Sequence, residues 1–208
     1  MADSSLSMVT PITAATFRNL NFNAGMLLVN FDYSSATDAG SLMELIVSPE
    51  VQEISWVGAT KGGINVQENR SYWRPEMDGK RMPFKGEAQF DTAEPKITGT
   101  LVEYTPQNVQ AVSGAAELTT EGNVTTVQPR ATINVDDYFD NVVFVGNIGS
   151  DGLYVAELKN ALCTSGMNSQ STDKDIGTLP FEFTGHSDSP IFTDELPLTY
   201  KFFGVATE

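Results

Sequence analysis

Cysteine and histidine are nearly missing from this chain. Cys163 stands alone among 208 residues, which excludes an internal disulfide framework and a cysteine-built zinc site. The lone thiol reads as a small core residue. His186 is the only histidine, so no histidine pair exists to hold a metal. A Ser–His–Asp arrangement can be sketched from His186 and Asp188, but no GxSxG elbow presents a nucleophile. His186 therefore reads as a hydrogen-bonded structural residue at a strand end. No apolar run reaches the roughly 20 residues of a membrane span, and the opening "MADSSLSMVTP" lacks the basic and apolar regions of a signal peptide. The expectation is a soluble protein made in a cytoplasm. Basic residues are scarce too: 12 Lys+Arg stand against 27 Asp+Glu, a formal net charge of −15. Phosphate neutralisation depends on Lys and Arg, so this charge argues against a role in gripping nucleic acid.

Motifs that resemble known sites fall short on chemistry. "VGATKGGINV" (Val57–Val66) offers glycines and Lys61, but the hydroxyl of a phosphate loop is missing. The alternation of Ile64 and Val66 with Asn65 and Gln67 predicts a strand where a phosphate site needs a helix N-terminus. A glycine turn feeding a strand is the expectation. "DKDIG" (Asp173–Gly177) lacks the third acidic position of a calcium loop, with Gly177 one place early and Glu182 two. No spacing selects a carboxylate pair for glycoside chemistry. The sequon at Asn123 matters only in a secretory pathway that nothing here suggests. No catalytic residue, cofactor or metal is assigned, and the chain is expected not to be an enzyme.

What is present is strand. "GMLLVNFDY" (Gly25–Tyr33) reads as a strand with Leu27, Val29 and Phe31 on one face. "SLMELIVS" (Ser41–Ser48) spaces Leu42, Leu45 and Ile46 as a helix after Asp38, a candidate N-cap. Trp56 and Val57 lead into the glycine turn, and Asp78-Gly79 marks another turn. "KITGTLVEY" (Lys96–Tyr104) is β-rich and runs into Thr105 as N-cap and Pro106 at the first helical position. Tyr104 and Val109 sit where a hydrophobic staple would, and Val109, Val112 and Ala116 predict a helix over about 106–117. "RATINVD" alternates Ala131, Ile133 and Val135 as a strand. "NVVFVGNI" and "LYVAELKNAL" flank "GSDG" as a hairpin, and "LPFEFTGH" and "LPLTYKFF" close the chain. The reading is one domain over 1–208, mainly β: a sandwich or barrel with one or two short helices. Charge is uneven along it. Residues 1–60 sum to −5, residues 61–96 to +1, and residues 97–208 to −11, so a mixed-charge island sits in an acidic molecule.

Five segments in order resemble the major tail protein, or tail tube protein, of long-tailed bacteriophages. They are "VGATKGGINV", "SYWRPEMDGKRMPFKG" (Ser71–Gly86), "ITGTLVEYTPQNV" (Ile97–Val109), "NVVFVGNIGSDGLYVAELKNAL" (Asn141–Leu162) and "LPFEFTGHSD" (Leu179–Asp188). Together they span about residues 20–201. The resemblance implies a tail tube fold with an N-terminal arm (1–19) and a long loop (67–95) reaching a neighbouring subunit. It implies self-assembly into rings of six that stack into a tube in the virion, through which DNA passes during ejection without specific binding. Other tail proteins (tape measure, tail terminator, baseplate or tip) are the implied partners. Within the loop, Tyr72, Trp73, Arg74, Met82, Phe84, Lys85 and Phe90 are the expected inter-subunit contacts, since aromatics and arginine dominate interfaces. Its prolines and turn are expected to limit regular pairing, so that the segment orders on assembly. An acidic lumen would repel phosphates; Asp91, Glu94, Glu103 and Glu182 are the candidates for its lining. Glu182 lies between Phe181 and Phe183, so burial of those rings turns it to the opposite face. Two other readings stand beside this one: a related tail or tailocin ring component, and a carbohydrate-binding β-sandwich presenting Tyr72 and Trp73 as a sugar platform.

Overall fold

The computed structural model describes residues 20–54, 57–149, 151–171, 173–189 and 195–204. The expected N-terminal arm (1–19) and Trp56 lie outside the described residues. Strands make up 46% of the structure and helices 14%, so the mainly-β expectation holds. In chain order the strands are β1 (Asn21–Val29), β2 (Thr60–Gln67), β3 (Arg70–Trp73), β4 (Gln89–Ala93), β5 (Lys96–Leu101), β6 (Ala116–Glu121), β7 (Val124–Pro129), β8 (Phe139–Ile148), β9 (Gly152–Cys163), β10 (Leu179–Gly185) and β11 (Leu198–Phe203). Three short helices, α1 (Ala39–Val47), α2 (Pro49–Ile54) and α3 (Pro106–Ser113), interrupt them, one more than the upper end of the expectation.

One antiparallel sheet carries the fold, in the order β1-β8-β9-β10-β5-β2. The second edge of β9 is divided. Its Ala161–Cys163 stretch pairs with β10, while Leu153–Leu158 pair with β11. The sheet is rolled: the Val57 N–H, just ahead of β2, donates to the Leu27 carbonyl of β1 at 3.2 Å. Period-two alternation sorts β8 and β9 into two cores. Val142, Phe144, Ala156 and Leu158 join Phe181, Phe183, Ile97 and α3's Val112 inside the roll. Val143, Val145, Leu153 and Val155 face the other way, onto Leu42 and Ile46 of α1. That helix begins as expected, with the Asp38 carboxylate accepting from the Ser41 N–H at 2.9 Å.

Several expectations are corrected. β1 ends at Val29, not Tyr33, because Asn30 takes a positive φ of 49°. The Asn141 side chain then bonds both the N–H and the carbonyl of Phe31, at 2.8 and 2.9 Å. Phe31 consequently joins the α1 core, away from Leu27. The glycine turn is a bulge within β2: Gly62 and Gly63 (φ 86° and 84°) fall in the register break between Thr60 and Ile64. Helix α3 starts at Thr105 and Pro106 as read but stops at Ser113. Gly114 (φ 76°) turns the chain there, and Ala116 already belongs to β6. The Tyr104 end of the expected staple goes elsewhere, its hydroxyl donating to the Thr178 carbonyl at 2.8 Å. Ile133 and Val135 are exposed and outside any strand. There Asp137 accepts from the Asn134 N–H at 2.7 Å, and this local bond wins over strand pairing. Cys163 is buried at the end of β9, and His186 is tied to that strand, its Nδ1 lying 3.1 Å from the Asn160 carbonyl oxygen. No helix among the described residues is long and apolar enough to cross a membrane.

Candidate functional site

Gln67 of β2 and Lys96 of β5 face each other at the end of their ladder, so everything between them must leave the sheet. It leaves as an arm. Arg70 pairs with Ala93, Ser71 with Thr92, Tyr72 with Phe90 and Trp73 with Gln89. The pairing that the prolines were expected to limit is therefore present at the base of the segment. Tyr72 and Phe90 meet edge to face, with ring centroids 6.4 Å apart at 84°. Every residue of β3 is exposed, because a two-stranded ribbon away from the sheet has no second layer to cover it.

The tip beyond these strands has its own centre. Lys80 Nζ donates to the Pro75 carbonyl at 3.2 Å, lies 2.7 Å from Glu87 Oε2 and stands 5.8 Å from the centroid of Phe84. The Glu87 side chain is only 2% exposed. The hydrogen bond from Lys80 holds its carboxyl below the usual range. Asp78-Gly79 makes the expected turn, closed by the Lys80 N–H on the Met77 carbonyl at 3.2 Å. Fixed this way, the tip turns Met77, Met82 and Phe84 outward. Arg74, Arg81 and Lys85 are exposed as well and make no ion pair among the described residues. All seven expected contact residues (Tyr72, Trp73, Arg74, Met82, Phe84, Lys85 and Phe90) thus fall on one arm.

The four acidic candidates do not share one place. Glu182 faces away from the core, as the burial of Phe181 and Phe183 requires. Lys96 brings it together with Glu94, its Nζ lying 3.0 Å from Glu182 and 3.5 Å from Glu94. The lysine is held above its usual range chiefly by the Glu182 bond. Asp91 sits on the arm, accepting from Ser71 Oγ at 3.0 Å. Glu103 lies beyond the end of β5 and accepts from the Ala59 N–H at 3.0 Å, tying two loops together. The "DKDIG" stretch is also occupied by protein contacts, with Asp175 accepting from Lys61 Nζ at 3.1 Å.

Sequence reasoning missed a second projection. β6 and β7 form a hairpin closed by Gly122-Asn123, since Glu121 pairs directly with Val124. A Gly-Asn pair between Thr-rich runs is a hairpin signal, hidden here by a helix extended too far. Also missed was the aromatic group on β9 and β11, where Tyr154 stacks on Tyr200 at 5.9 Å and meets Phe202 at 5.4 Å. Burial pushes the Tyr154 hydroxyl up to about 12. No family model matches the chain, and no curated protein matches its sequence.

Proposed function

We propose that this chain is a self-assembling structural subunit, the tail tube protein of a long-tailed phage, which forms rings of six that stack into a conduit for DNA. The observation that carries the reading is the β3–β4 arm. It is folded, yet it exposes Tyr72, Trp73, Met77, Met82 and Phe84. A free-standing soluble domain rarely keeps so many large apolar groups in water, and such patches mark association surfaces. Two features agree with it. The outer face of β5 and β10 carries Lys96, Thr98, Thr100, Glu182 and Thr184, half-buried polar groups that suit a surface past which DNA slides. The net charge of −15 works against capture of the cargo. In this reading the protein resides in the virion, its main partner is itself, and other tail proteins meet the ends of the tube.

A sugar-binding module would need coplanar, co-facial aromatics. Tyr72 and Trp73 are successive residues of a strand and point to opposite faces, and the ring that Tyr72 meets stands perpendicular to it. Electron microscopy of the purified protein at roughly 0.15 M salt, where the screening length is about 8 Å, tests the proposal. Rings or tubes are expected. A subunit that stays monomeric when concentrated, and does not grow on a tail-tip seed, overturns it.

A further inference from the structure

Two surfaces of the subunit expose apolar side chains that nothing among the described residues covers, and they carry opposite charge. The first is the arm tip. Met82 is 78% exposed, with Phe84 and Met77 beside it. Over residues 74–87 the bases Arg74, Lys80, Arg81 and Lys85 outnumber the acids Glu76, Asp78 and Glu87, a local charge of +1. The second is the β6–β7 hairpin with the turn that follows it. Val124 is 65% and Val135 86% exposed, with Ile133 between them in sequence. Over residues 116–140 the acids Glu117, Glu121, Asp136, Asp137 and Asp140 face the single base Arg130, a local charge of −4. Arg130 is already engaged by Glu117 and Asp137. Glu121, Asp136 and Asp140 make no ion pair among the described residues.

We infer that the arm tip of one copy docks on the β6–β7 hairpin and 131–140 turn of a second copy. Each surface supplies what the other lacks: exposed methionine and phenylalanine against exposed valine and isoleucine, and surplus cations against surplus carboxylates. Within one subunit no hydrogen bond or ion pair joins them, among the described residues. The arm leaves the sheet between β2 and β5, whereas the hairpin follows α3. A contact between two different patches on identical chains is head-to-tail, and repetition of it closes a ring or extends a stack. The Lys80–Glu87 centre matters here, because a tip held in shape before contact loses less freedom on docking. The inference rests on the self-assembly proposed above and names the surfaces that meet.

Charge reversal tests it. Arg81→Glu with Lys85→Glu reverses the tip; Glu121→Lys with Asp136→Lys and Asp140→Lys takes the hairpin and turn from −4 to +2. All five residues are exposed, so each variant is expected to melt like the parent chain. Assembly by each variant alone, read by sedimentation and microscopy, should fall by about tenfold or more, because like charges then face each other. Mixing the two variants should restore it, since tip and hairpin are again complementary between unlike copies. One chain carrying all five substitutions should also recover. Should either set destabilise the fold, Arg81→Gln with Lys85→Gln gives the milder loss with no acid introduced, and its recovery by lowering salt is not expected. Parent-like assembly by the tip-reversed variant overturns the inference, as does failure of both the mixture and the fivefold variant to recover. Parent protein that never assembles instead overturns the self-assembly reading itself.

Discussion

Gly114 and Gly62 both have positive φ, yet alanine should cost very different amounts at the two positions. Gly62 (φ 86°) has nothing within 4 Å of an added Cβ. Only the backbone penalty applies there, about 1–2 kcal/mol for an L-residue in left-handed space. It is partly offset by about 0.4–1 kcal/mol from the stiffer unfolded chain. The expected loss for Gly62→Ala is therefore about 1 kcal/mol. Gly114 is harder to replace. Its φ of 76° and ψ of −74°, with the Ala115 N–H on the Ser113 carbonyl at 3.0 Å, make a γ-turn of the rare strained hand. An added Cβ would also sit 2.5 Å from the carbonyl oxygen of Cys163. That oxygen belongs to β9 and cannot swing aside, so an overpacking cost of about 1–3 kcal/mol is added. The total is about 2–4 kcal/mol. At about 2–4 °C per kcal/mol for a chain of this size, Gly114→Ala should melt roughly 5–15 °C lower and Gly62→Ala only about 2–4 °C lower. Urea titrations followed by circular dichroism, in low salt where rings are not expected to form, would measure both. Equal losses, or a neutral Gly114→Ala, would refute the account of where the backbone is held. The position also bears on the proposed docking, because Gly114 aims the chain from α3 into the β6–β7 hairpin.

Trp73→Ala and Arg74→Ala should each lower the yield of tubes while leaving the melting temperature of the subunit unchanged; unaltered yield in both would remove the arm from the interface. Tyr154 is held near 12, above the ordinary 10.0, so it contributes stability that is complete below pH 10 and is lost as pH rises through about 12. Tyr154→Phe should flatten the decline of urea stability across that alkaline window, and an unchanged profile would count against the burial argument. Glu182→Lys places a second cation beside Lys96 on the half-buried outer face of β5 and β10. Tubes should survive, DNA ejection should slow in an infection assay, and unchanged ejection kinetics would take that face out of the lumen.

The strands were legible wherever both neighbours and both faces of a segment agreed. "LPFEFTG" alternates without a break, and β10 follows it residue by residue, with Leu179, Phe181, Phe183 and Gly185 buried. Capping chemistry was legible for the same reason: Asp38 and Thr105 act on N–H groups three residues away, a distance a sequence displays directly. Failures came where a side chain from far along the chain competes with the local pattern. Phe31 was assigned to the wrong face because Asn141, 110 residues away, bonds its backbone. The "RATINVD" alternation was overruled by Asn134, Asp137 and Arg130, whose polar bonds need no strand partner. The helix beyond Ser113 was a failure of a different kind, since Ala116 satisfies the helical spacing and Gly114 alone marks the break.

Charge shows most sharply what composition can and cannot say. The near-neutral sum of residues 61–96 was readable from the sequence, but neutrality has two physical meanings. Some charges of this window are cancelled in place: Lys80 by Glu87, Arg70 by Glu68, and Lys96 by Glu94 and, from outside the window, Glu182. Those pairs hold the arm in shape and fasten its base, and they contribute nothing to steering a partner. Removing them leaves Arg74, Arg81 and Lys85 against Glu76 and Asp78 on the tip, next to Met82 and Phe84. A window that sums to +1 therefore presents a cationic, apolar end to a molecule of charge −15. Long-range repulsion between copies and short-range attraction at the tip then act together. At low salt the repulsion of the acidic bodies prevails, while a screening length of about 8 Å suppresses it and spares contacts made at van der Waals distance. Assembly through the arm should consequently require moderate salt, weakening at both low and very high ionic strength, a dependence that neither a purely apolar nor a purely ionic contact would produce.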